Sequence, residues 1–215
     1  MKKLFLFLAI AMSMGTFSIA QAYKDSWQVG FGFVYPRFVG ADIISNEGNY
    51  GIYASAQRKF SEHFGMRFKL AFKDLRGKYI PTVTPSTQTL HFSGDFDVLY
   101  SFVPCEAVSP YFGVGIGPLY YQVNNPTTTS IKDGEWMADY QVNFLFGVDF
   151  NLNADWKVNT ELAYHTVSTG RFDGRFDRIG GMLGGPYVSY MTFNLGALYY
   201  FRSEERRVGK ECRSR

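Results

Sequence analysis

Two neighbouring stretches of the chain carry ionisable side chains at matching two-residue spacings. Arg67, Lys69 and Lys73 share one parity, and His91, Asp95 and Asp97 share one parity about 25 residues later. In an extended strand, alternate residues point to one face, so each set would share a face. Facing each other, they have the chemistry of a cation site or a charged gate. The plainer reading is a set of ion pairs filling a narrow interior, because buried charges require partners. Asp139, Asp149, Lys157, Glu161 and His165 extend the same polar face from later stretches. Cys105 has no ligand-spaced neighbours, and no metal site or cofactor site is expected.

A hydrolytic arrangement is the other chemistry to weigh. His165-Thr166-Val167-Ser168, with Glu161 upstream, holds the residue types of a nucleophile and its base. A separation of three residues in a strand puts His165 and Ser168 on opposite faces. His165 shares parity with Glu161, whereas Leu162 and Tyr164 have the other parity. No catalytic residue is assigned, and the chain is read as a non-enzyme.

The elements that would position these groups are strands. Residues 64–73 alternate cleanly, with Phe64, Met66, Phe68, Leu70 and Phe72 on one side and Arg67, Lys69 and Lys73 on the other. Eight such runs are expected, over residues 26–35, 50–60, 64–74, 89–103, 110–123, 136–152, 156–168 and 187–201. Most exceed the roughly 9–11 residues that a tilted strand needs to cross a bilayer. Residues 61–63, 104–109 and 153–155 are short connections, and residues 36–49, 75–88, 124–135 and 169–186 are long ones. The strict alternation of short and long fits an up-and-down transmembrane barrel with turns at one end and loops at the other. A soluble barrel would place its apolar stripes inside. The stripes 64/66/68/70/72 and 140/142/144/146/148/150 hold more large rings than a small interior readily accommodates.

Aromatic residues mark both strand ends. Trp27, Phe60, Phe64, Phe150 and Trp156 fall near the short turns, and Tyr35, Tyr120 and Trp136 near the long loops. Rings with an apolar body settle at a membrane–water interface, so two girdles are expected. Residues 170–178 contain a short tandem in which Arg171, Arg175 and Arg178 have the geometry to clamp lipopolysaccharide phosphates. Asp173 and Asp177 would partly cancel them, and the plainer reading is a Gly-rich surface loop.

The ends of the chain read differently. Lys2 and Lys3, an apolar stretch over residues 4–12 and Ala20-Gln21-Ala22 form the three regions of a signal peptide, expected to cover residues 1–22. Residues 23–201 form one domain. Residues 202–215 change composition abruptly, carry nine charges in 14 residues and resemble a translated sequencing adapter, so a non-native tail is expected. Without both ends the net charge of +3 becomes about −2, from 14 basic and 16 acidic residues. The basic balance of the full chain is therefore no argument for nucleic acid.

With these features the chain resembles the small eight-stranded bacterial outer-membrane barrels of the OmpA, OmpX and OmpW type. The signal, the strand–loop rhythm and the final run from Tyr187 to Phe201 carry the resemblance, with residues 109–115 resembling the group's fifth-strand start and residues 147–150 and 153–159 its OmpW-like sixth turn. The resemblance implies an all-β, antiparallel, monomeric barrel in the outer membrane with both ends periplasmic. It implies that Phe201 is the terminal aromatic read by the barrel-assembly machinery. Its partners would be outer-membrane lipids and lipopolysaccharide. The leading expectation is a non-enzymatic role in envelope structure and surface interaction. The alternatives are a narrow OmpW-like channel for small or hydrophobic molecules, and the membrane anchor of a larger truncated protein.

Overall fold

A computed structural model describes residues 26–40, 43–45, 48–79, 86–104, 106–126, 131–153, 155–174 and 188–201. The described strands are β1 (Trp27–Val39), β2 (Ile43–Ser45), β3 (Tyr50–Lys59), β4 (Phe64–Tyr79), β5 (Thr87–Ser101), β6 (Val108–Asn124), β7 (Trp136–Asn151), β8 (Trp156–Val167) and β9 (Val188–Phe201). Going round the wall the order is β4, β3, β1, β9, β8, β7, β6, β5, and β5 pairs back onto β4. Every pairing is antiparallel. Closure joins the first strand to the last, with Trp27 opposite Phe201 and Val39 opposite Ser189. Eight strands thus form a closed barrel without a free lateral edge, the all-strand arrangement that satisfies backbone groups inside a bilayer. The signal peptide, the tail and Tyr187 lie outside the described residues.

The faces follow the alternation. Phe31, Phe33, Ile52, Phe68, Phe96, Ile116, Phe144 and Leu195 point outward and are exposed, Phe33 by 73%. Such a wide apolar surface would be an aggregation hazard in water, and it is the proper outer surface in lipid. The inner face holds Arg67, Lys69, Lys73, His91, Asp95, Asp97, Asp149, Lys157, Glu161 and His165, all buried.

Several strands run further than the alternation alone indicates. β4 continues five residues beyond Asp74 to Tyr79. There the polarity of the faces inverts. Leu75 and Tyr79 are buried inward, whereas Lys78 is exposed and Arg76 partly so. The short β2 lies against this extension, with Ile43 opposite Tyr79. Phe38, Ile43, Leu75, Tyr79, Leu119, Tyr121, Val123, Ile131, Val167, Phe172, Val188 and Tyr190 form one apolar cluster at the long-loop end. The barrel is therefore polar inside across the apolar band and apolar inside above it, where water replaces lipid outside.

Small residues on β6 let the wall close over large neighbours. A Cβ on Gly113 would meet Leu99 and Leu145, one on Gly115 would meet Asp97, and one on Gly117 would meet the Gly94 backbone carbonyl. These three glycines relieve crowding where β6 packs on its neighbours.

Candidate functional site: a filled lumen and its two mouths

The centre of the lumen is an ion-pair network spanning opposite walls. Arg67 on β4 donates from Nη1 to Glu161 Oε2 on β8 at 2.6 Å, and from Nε and Nη2 to Asp97 Oδ2 on β5 at 2.9 and 2.8 Å. Lys69 Nζ donates to Glu161 Oε1 at 2.8 Å. The Tyr111 hydroxyl adds a bond to Glu161 Oε2 at 2.7 Å, and Asn194 Nδ2 one to Oε1 at 2.8 Å. Glu161 thus accepts four bonds from β4, β6 and β9, the degree of satisfaction a buried carboxylate needs.

A second tier lies towards the long loops. Lys73 Nζ donates to the Tyr190 hydroxyl at 3.0 Å, Tyr190 donates to Gln141 Oε1 at 2.6 Å, and Gln141 Nε2 donates to Asp95 Oδ1 at 2.6 Å. Ser93 closes the set, accepting from Lys73 at 3.3 Å and donating to Asp95 at 3.2 Å. Chained bonds of this kind polarise one another in a low-dielectric interior. His165 bonds Asn143 Oδ1 at 2.6 Å and Thr192 Oγ1 at 3.0 Å, and stacks on Tyr190 at 4.5 Å.

Above this tier the lumen is capped by a side chain from the loop after β8. Phe172 is wholly buried, with ring centroids 5.1 Å from His91, 5.3 Å from Tyr121 and 5.4 Å from Tyr190. Its carbonyl accepts from Thr89 Oγ1 at 2.8 Å, and the Asp173 carbonyl accepts from the Tyr79 hydroxyl at 2.7 Å. Gly174 follows at φ +82°, a conformation that favours glycine, and is itself buried.

The expected residues sort clearly. Arg67 pairs with Asp97 as the adjacent-strand register suggests, but Lys69 crosses to Glu161 rather than bonding Asp95 opposite it. Lys157 and Asp149 approach to 3.7 Å near the short-turn mouth. Asp139 is not part of this lumen network. It is half-buried at the long-loop end, accepting from Tyr121 at 2.9 Å and Ser168 at 3.4 Å. The segment expected to be a plain surface loop is corrected too, since residues 172–174 turn inward and Phe172 stops the lumen. Thr89 is buried on β5 and holds that stopper. Arg171 is exposed, while Arg175 and Arg178 lie outside the described residues, as does Cys105. Tyr111, Tyr190, Gln141, Asn159 and Asn194 were missed, although each has the inward parity of its strand.

The girdle residues Trp27, Tyr35, Phe60, Phe64, Tyr120, Trp136, Phe150 and Trp156 are all exposed on the outer face. Tyr120 stacks on Trp136 at 4.8 Å, and Trp156 lies 5.0 Å from Tyr199. Arg58 reaches over the rings of Trp27 and Phe60 at 5.6 and 5.4 Å. Among the described residues, no group of three or more His, Cys, Asp or Glu side chains is placed to hold a metal ion.

Comparison with known proteins agrees with this architecture. The fold is similar to OprG from Pseudomonas aeruginosa, at 12% identity and TM-score 0.54, over 84% of this chain and 97% of that one. It is also similar to Neisserial surface protein A, at 14% identity and TM-score 0.52, over 81% and 97% of the two chains. A third likeness is to Ail, the attachment invasion locus protein of Yersinia pestis, in complex with the heparin analogue sucrose octasulfate. It has 16% identity and TM-score 0.51, over 83% and 100%. No curated protein sequence matches the chain. The model of the outer membrane protein beta-barrel domain matches residues 5–201, and the chain belongs to that family.

Proposed function

We propose that this protein is a non-enzymatic component of the bacterial outer membrane, a closed barrel that reinforces the envelope and presents its long loops as an interaction surface. The observation that carries this reading is the occupied lumen. Glu161 ties β8 to β4, β6 and β9, and Phe172 seals the long-loop end. An eight-stranded barrel has room for side chains and little else when its interior is filled in this way. His165 is committed to Asn143 and Thr192, and Ser168 bonds Asp139, so neither forms the other's catalytic partner.

In this reading the short turns face the periplasm, Phe201 is the assembly signal, and the protein works as a monomer. The loops meet lipopolysaccharide or a surface partner. Arg171 lines an open recess of about 650 Å³ with Met137, Ala138, Asp139, Ser168, Thr169 and Gly170. The recess supplies one cation and one carboxylate to whatever docks there. A clean deletion tests the proposal. The expected result is greater sensitivity of cells to detergents and large antibiotics, restored by the wild-type chain. Unchanged sensitivity together with reduced uptake of small hydrophobic molecules would instead favour the narrow-channel reading.

A further inference from the structure

The short-turn mouth of the lumen gathers two buried lysines around one carboxylate. Lys59 and Lys157 share the carboxylate of Asp149 there, whereas Arg67 and Lys69 lie deeper, beside Asp97, Asp95 and Glu161. Arg67, Lys69 and Lys157 each have a carboxylate within 4 Å. Lys59 is the remaining cation. It is 2% exposed, and its Nζ has no hydrogen-bond partner.

A second orphan lies beside it. Gln28 is fully buried, and both its Nε2 and its Oε1 lack partners. On β1 it sits opposite Gln57 of β3, two residues from Lys59, and opposite Tyr200 of β9. Lys157 reaches over the Tyr200 ring at 4.9 Å, and its charge acts on Lys59 together with that of Asp149. Asp149 is already bonded by Asn159 Nδ2 at 2.7 Å. One wall, built from β8, β9, β1 and β3, thus gathers two ammonium groups and an uncommitted amide around the single carboxylate of Asp149.

An ammonium buried without a counter-charge is strongly disfavoured. We propose that Lys59 Nζ and Gln28 Nε2, with Lys157 alongside, bind a small monovalent inorganic anion of chloride size at the short-turn mouth of the lumen. Lys59 supplies the compensating charge and up to three donors, and Gln28 supplies two more. The Asp149 carboxylate nearby works against a polyanion, which is why the site suits a single negative charge. The proposal stands whether or not the lumen conducts.

The experiment is chloride-35 line broadening with the full chain in an uncharged detergent. The expected result is a saturable excess linewidth that bromide displaces. Lys59→Met should weaken apparent affinity about tenfold or more. Lys59→Arg should retain binding, Gln28→Leu should weaken it, and exposed Lys78→Met should leave it unchanged. Absence of saturable broadening in the wild type would overturn the proposal. So would undiminished broadening in folded Lys59→Met. If Lys59→Met does not fold, unaltered binding in Gln28→Leu would count against the site.

Discussion

Arg67 and Glu161 meet at 2.6 Å although 94 residues separate them and their strands lie on opposite sides of the barrel. This bond runs across the lumen rather than along its wall, and it holds the two sides together where a channel would have to open. Both groups are almost fully buried, and they share their counter-charges with Asp97 and Lys69.

Removing either partner should leave a buried charge short of its counter-charge. Glu161→Gln leaves Arg67 and Lys69 without their shared carboxylate, and the expected destabilisation is about 3–5 kcal/mol. Replacing Arg67 and Glu161 together with apolar residues of similar volume should cost less than the sum of the single changes, although Asp97 then loses its guanidinium and Lys69 its carboxylate. Denaturant unfolding from lipid vesicles, arranged as a double-mutant cycle, measures the coupling. Additive losses would show that the bond contributes little.

Phe172 should act as a stopper that holds its own loop. Phe172→Ala removes a fully buried ring packed against His91, Tyr121 and Tyr190, a loss of about 3–5 kcal/mol for that site. The loop should then become accessible, and trypsin cleavage at Arg171 should rise sharply while the barrel stays folded. Unchanged cleavage would mean that the loop is held by other contacts.

The outer face should respond to charge according to depth. Phe68 lies midway along the apolar stripe of β4, and Phe64 lies at its short-turn end. Phe68→Arg is expected to destabilise the inserted barrel by about 2–4 kcal/mol, and Phe64→Arg by about 0–1 kcal/mol. Refolding equilibria in bilayers of defined thickness would check this, and equal costs at the two positions would contradict the placement of the bilayer.

Gly117 and Gly94 offer a sharper contrast on paired strands. A Cβ at Gly117 would strike the Gly94 backbone carbonyl, which cannot rotate away, whereas a Cβ at Gly94 meets nothing nearer than 3.5 Å. Gly117→Ala should cost about 1–3 kcal/mol. Gly94→Ala should be close to neutral. Unfolding midpoints of the two variants test the pair directly.

The strand framework was readable because period two is short-ranged: each residue's face is set by its immediate neighbours. The same rule failed above the lipid. At β4 the apolar parity switches from Phe72 to Leu75, so the alternation seemed to stop at Asp74 although the strand continues to Tyr79. The members of the lumen network were legible by parity, but their partners were not. Lys69 faces Asp95 in register yet bonds Glu161, because the tilt and stagger of a closed barrel decide which inward groups meet across it. Tyr190 and Tyr111 passed unnoticed because a tyrosine in a membrane barrel suggests a girdle, although their parity places them inside. Phe172 carried no signal at all: it lies outside every alternating run, and only tertiary contacts bring it into the lumen mouth.

Planar-bilayer recording of the purified barrel shows whether the lumen is closed by its own side chains. No steady conductance above the bare membrane is expected, in the wild type and in Phe172→Ala alike, because the Arg67–Glu161 tier still spans the lumen below the stopper. Steady, reproducible openings of the wild-type barrel would contradict that closure.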